Sequence, residues 1–75
     1  MKVIIFIHNT GIVINVEGPD EKENLAAMKD IAIEVRRTAE PTMVTDTAIE
    51  IDRDDIIDFY QLIFDISLDH PVMIQ

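Results

Sequence analysis

Seventy-five residues are enough for one domain and too few for two, because smaller pieces would bury too little surface to fold alone, so a single domain spanning 1–75 is expected. Apolar residues make up 48% of the chain and the net charge is −9, which supplies a core while disfavouring direct contact with nucleic-acid phosphates or an anionic lipid surface. The absence of cysteine excludes a disulfide framework, a thiolate zinc site and a thiol nucleophile together.

Residues 2–17 read as a β-hairpin, with the β-branched runs Val3–Ile7 and Ile12–Val16 flanking the turn His8-Asn9-Thr10-Gly11. Gly11 is expected to take the left-handed conformation of a three-residue loop with a bulge. That loop sets His8 opposite Ile12, Phe6 opposite Ile14 and Ile4 opposite Val16. The first run has no polar residue from Val3 to Ile7 and is expected to be central in the sheet or covered on both faces. It resembles the start of a secretory leader, but His8 and Asn9 interrupt it before it reaches the length of one. No apolar stretch approaches the roughly 20 residues needed to cross a bilayer, and a cytoplasmic location is expected.

Gly18-Pro19 ends the hairpin, and Asp20 with Glu23 three residues later marks a helix start, Asn24 being an alternative cap. Leu25, Met28, Ile31, Ala32, Val35 and Ala39 then fall on one helical arc opposite Asp30, Glu34 and Arg37, and the helix is predicted to end near Glu40, before Pro41. Thr42–Ile51 reads as a third strand with a break around Asp46. Asp52 is expected to cap a second helix running to about Ser67, with Ile56, Phe59, Tyr60, Ile63 and Ile66 as its core arc. His70-Pro71 stops it and leaves Val72-Met73-Ile74 as a short terminal strand or an apolar tail. The order ββαβα(β) implies an α+β fold, a small antiparallel sheet packed by two helices.

Acidity is concentrated late in the chain: residues 1–45 hold seven acids and five bases, residues 46–69 eight acids and one base. On a continuous second helix Asp54, Asp58, Gln61 and Asp65 share one azimuth, and Glu50, Asp52 and Asp55 extend that stripe at its N-terminal end. Such a row would suit a basic groove built for phosphates, with association steered by charge and weakened by salt. The alternative is an ordinary solvated helix face. Apolar residues are also in surplus, since Ile57 and Phe64 lie on one flank of the same helix and Leu62 on the other. A homodimer or a partner groove using Ile57 and Phe64, or the outer face of the hairpin, would absorb them.

Signals for chemistry are weak. Asp52-Arg53-Asp54-Asp55 lacks the alternating ligands and central glycine of a calcium loop, with Ile56 and Ile57 where ligand and turn should be. Ser67 has only His8 and His70 as candidate bases, both in turns. Gly11 and Gly18 are the only glycines, so no phosphate-cradling loop is present, and no catalytic, metal or cofactor residue is assigned. In size, acidity and lack of catalytic chemistry the chain resembles in kind the small inhibitors made by bacteriophages and mobile elements, without a shared motif. The expectation is a non-enzymatic acidic modulator or inhibitor, a nucleic-acid mimic in manner, that docks its second helix on a basic protein partner. A self-associating structural subunit is the second reading and a small oligomeric enzyme the third.

Overall fold

A computed structural model describes all residues, Met1–Gln75. β1 (Lys2–Ile7) and β2 (Gly11–Glu17) form the hairpin, followed by α1 (Glu21–Thr38), β3 (Met43–Val44), β4 (Ala48–Asp52), a single 3-10 turn (Arg53–Asp55), α2 (Phe59–Ser67) and β5 (Val72–Ile74). The five strands make one sheet in the order β3-β4-β2-β1-β5. All neighbours are antiparallel except β5, which returns beside β1 in parallel, so the sheet is mixed. The α+β order ββαβαβ follows the sequence pattern.

The hairpin register differs by one residue from the expected one. Ile7 pairs with Ile12, Phe6 with Val13, Ile5 with Ile14 and Ile4 with Asn15. Because side chains alternate, this slip changes which residues share a face. Val3, Ile5, Ile12 and Ile14 now point the same way, and Ile49 and Ile51 of β4 join them through the pairs Ile14–Ile49 and Ile12–Ile51. The turn is closed by His8 N–H donating to the Gly11 carbonyl at 2.8 Å. Gly11 is near-extended at φ 159°, not in the helical left-handed conformation expected of it. Its role is close approach: it pairs with Asp52, and a Cβ there would overlap the Ile51 carbonyl oxygen of β4.

α1 starts where its cap is placed. The Asp20 carboxylate accepts from the Lys22 and Glu23 N–H groups at 3.0 and 3.2 Å, whereas Asn24 donates back to the Gly18 carbonyl. Ala27, Met28, Ile31, Ala32 and Val35 are buried, while Leu25 and Ala39 are half-buried. The predicted break near Asp46 is a turn that divides the third strand segment into β3 and β4. There the Thr45 hydroxyl oxygen accepts from the N–H groups of Thr47 and Ala48 at 3.2 and 3.0 Å.

Both helices lie on one side of the sheet. The main core joins Val3, Ile5, Ile12, Ile14, Ile49 and Ile51 to Met28, Ile31, Ala32 and Val35 of α1 and Leu62 and Ile66 of α2. β1 is central, between β2 and β5, as its unbroken apolar run requires, but helices cover only one of its faces. Its other face carries Ile4 and Phe6. Ile4 is buried and yet stands outside the core cluster. No helix is long and apolar enough to cross a membrane.

Candidate functional site

The second helix is shorter than expected, and the reason is local. Asp52 caps only the 3-10 turn, its carboxylate accepting from the Asp54 N–H at 3.3 Å. Continuing that turn into a helix would set Asp54 and Asp58 at i, i+4, a like-charge pair, in a stretch of poor helix formers. Instead Ile56–Asp58 breaks the path, and Asp58 caps α2, accepting from the Gln61 N–H at 3.1 Å. The pattern Asp58 followed three residues on by Gln61 is the signal in the sequence that marks this start.

The single acidic stripe is therefore not built. Glu50 sits on β4, paired with Val13 and Met43, on the sheet face away from the helices. Asp52, Asp54 and Asp55 belong to the 3-10 turn, Asp58 is the cap, and only Asp65 lies within α2, where Gln61 Nε2 donates to it at 2.8 Å. These carboxylates are nonetheless not neutralised by the chain's own bases. The only ion pair is Arg37–Glu34 on α1, at 3.7 Å. Arg53, the one base among residues 46–69, sends its guanidinium to the Asn9 carbonyl at 3.2 Å, and its N–H bonds to the Thr10 carbonyl. It fastens the 3-10 turn to the hairpin loop.

What α2 presents outward is apolar. Ile57, Tyr60, Phe64 and Leu68 are 89, 83, 56 and 67% exposed and succeed one another at intervals of three, four and four residues. From Tyr60 onward this spacing makes a row along one helix face, with Ile57 at its N-terminal end. The row exposes on the order of 500 Å² of large side chain, near the upper end of the patches found on monomers. Asp54, Asp55 and Asp58 are exposed at its start, and Asp65 is half-buried beside it. Tyr60 is thus a surface residue and not part of the core arc. The buried arc of α2 centres on Leu62 and Ile66, with Phe59 and Ile63 half-covered. Ile57 and Phe64, expected as apolar contact residues, lie in the row, and Tyr60 and Leu68 are the members that the sequence reading missed. Their common signal was the i, i+4, i+8 spacing of Tyr60, Phe64 and Leu68.

Beside Ile57 the surface dips into a shallow cleft of about 320 Å³ lined by Ile7, Ile12, Ile56, Ile57 and Phe59, with His8 and Arg53 among its polar walls. The histidines do not converge. His8 follows β1 and His70 precedes β5, which runs parallel to β1 from its first residues, so roughly 20 Å of strand lies between them. The Ser67 hydroxyl donates to the Phe64 carbonyl at 2.7 Å, not to a base. No group of three His, Asp or Glu side chains is arranged to hold a metal ion. Comparison with protein-family models, with curated proteins and with solved structures found no match for this chain.

Proposed function

We propose that the protein is a non-enzymatic interaction protein, an acidic modulator or inhibitor that seats the outward face of α2 in an apolar groove of a protein partner whose rim carries Lys and Arg. The exposed row Ile57, Tyr60, Phe64 and Leu68 carries this reading, because a short amphipathic helix normally turns such residues inward. Here α2 has a buried arc in Leu62 and Ile66 and a second apolar face besides. This is the pattern of a helix-in-groove ligand read through i, i+3 and i+4 anchors. The carboxylates at its start and flank choose the partner: with no internal counter-ions they favour a basic rim and speed encounter. The same charge disfavours two α2 segments packing on each other, since residues 46–69 hold eight acids and one base.

The test is retention of the protein's binding partner by wild type, by Tyr60→Ser/Phe64→Ser, and by Ile33→Ser as a control for an exposed apolar residue on α1. The double substitution on α2 should abolish retention while Ile33→Ser leaves it intact, and retention by wild type should decline as salt rises. Equal retention by all three proteins would remove α2 as the contact.

A further inference from the structure

We propose that α2 of one copy of the chain docks in the groove between α1 and the β3–β4 turn of a second copy, a head-to-tail contact. This rests on the reading of α2 as a helix-in-groove ligand and names one partner of the class that reading calls for.

The groove measures about 380 Å³, and its floor is apolar, made by Leu25, Met28 and Ala32 of α1 and Val44 of β3. Lys29 and Arg36 line its α1 side, and Asp46 of the β3–β4 turn lines the other. Neither base makes an ion pair, since the one ion pair in the chain joins Arg37 to Glu34. An apolar floor beside unpaired bases is what the outward face of α2 calls for. The groove lies out of reach of the same chain's α2, which packs on the opposite flank of α1, where Asp30, Ile31 and Glu34 share a crevice with Asp65 and Ile66.

The match is one-sided on both surfaces. Along α2 the acids Asp58 and Asp65 flank the row Tyr60, Phe64 and Leu68 on one side, while Ile63 and Ser67 on the other side carry no charge. With the row turned into the groove, one orientation sets the acids against Lys29 and Arg36 and the uncharged flank against Asp46. Because both helices are right-handed, that orientation requires α2 to run antiparallel to α1, which also aligns their dipoles favourably. Asp58 then meets Arg36, and Asp65 meets Lys29. The two acids and the two bases are each seven residues apart, about 10 Å along a helix, so both pairs form together. The row from Tyr60 to Leu68 is about 12 Å long and fits within the roughly 16 Å from Leu25 to Arg36. Ile33, at the outer margin of the groove, meets α2 of the second copy and not a basic-rimmed groove. The contact joins unlike surfaces, so it leaves one α2 and one groove free for further copies and never brings two α2 segments together. Covering the row and an equal area of groove buries on the order of 1,000 Å², the size of a weak contact.

Sedimentation equilibrium and multi-angle light scattering at concentrations up to about 1 mM test this, with circular dichroism confirming that each variant is folded. The wild-type mass should rise above the 8.6 kDa of one chain as concentration increases and fall back as salt is added. Phe64→Asp, which spoils α2, and Lys29→Glu/Arg36→Glu, which spoils the groove, should each weaken association by about tenfold or more. Mixed one to one, these two variants should associate again, through the intact groove of the first and the intact α2 of the second, and stop at two chains. A symmetric contact gives no such restoration. A wild type that stays monomeric at about 1 mM, a groove variant that associates like wild type, or a mixture that stays monomeric would each overturn the proposal. A monomeric wild type whose foreign partner is still lost on Tyr60→Ser/Phe64→Ser would remove the second copy as an occupant and leave the role of α2 standing.

Discussion

Leu62 and Tyr60 are two residues apart on the same short helix and separate its buried face from its offered one. Leu62 is 2% exposed and belongs to the core, whereas Tyr60 is among the most exposed large side chains in the chain. Truncating Leu62 to Ala removes buried methyl groups and leaves a cavity among tightly packed neighbours, a loss of about 3 kcal/mol. A chain of this size has a total stability of roughly 4–11 kcal/mol, so that single change takes a large part of it. At about 4–8 °C per kcal/mol the melting temperature should fall by about 12–24 °C. Tyr60→Ala removes a side chain that is 83% exposed and meets the Phe59 ring edge-on at 6.0 Å between centroids, and puts the best helix former in its place, so stability should fall by no more than about 1 kcal/mol. Thermal and urea unfolding followed by circular dichroism measure both, with an unchanged urea slope showing that the denatured state is the same. A Tyr60→Ala protein as unstable as Leu62→Ala would mean that Tyr60 is a core residue, and the outward apolar row would not exist.

Other predictions follow from single contacts. Gly11→Val should cost about 2 kcal/mol or more, since its side chain would meet the Ile51 carbonyl across the β2–β4 pairing, and urea midpoints will read it. Asp20→Ala should destabilise by about 1 kcal/mol through loss of the α1 cap, while Asp20→Asn should be nearly neutral. The combined substitution of Asp54, Asp58 and Asp65 by Asn should leave the fold intact, because Asn at position 58 still caps α2, yet slow association with a basic-rimmed partner and flatten its salt dependence in surface-plasmon measurements.

Strong local signals carried most of the architecture. Asp20 placed the start of α1, Asp46 marked the break that became the turn between β3 and β4, and the polar-free run of β1 required a central strand. The hairpin register differs by one residue from the one the turn rule gives, and Gly11, which that rule leaves in the loop, pairs instead with Asp52 of β4, 41 positions along the chain and outside the reach of any turn rule. The parallel return of β5 is likewise a tertiary fact, since Val72–Ile74 reads the same way beside either edge. α2 is more instructive. A helical wheel assumes one uninterrupted helix from Asp52, and under that assumption Asp54, Asp58 and Asp65 align. Once Asp58 acts as a cap, the alignment disappears and the phase of the helix is set by Leu62 and Ile66 alone. The surplus of apolar residues was visible in the composition of that segment, but which of them face outward depended on this phase.

Site-specific photo-crosslinking tests the role of α2 most directly. With a photoreactive phenylalanine at position 64 or, as control, at position 33 on α1, illumination of the protein in its native extract and mass spectrometry of the adducts locate what each face touches. Position 64 should give a discrete adduct mapping to an apolar groove bordered by Lys and Arg, and position 33 should not. Adducts absent from position 64, or the same set from both positions, would contradict a docking role for the outward face of α2.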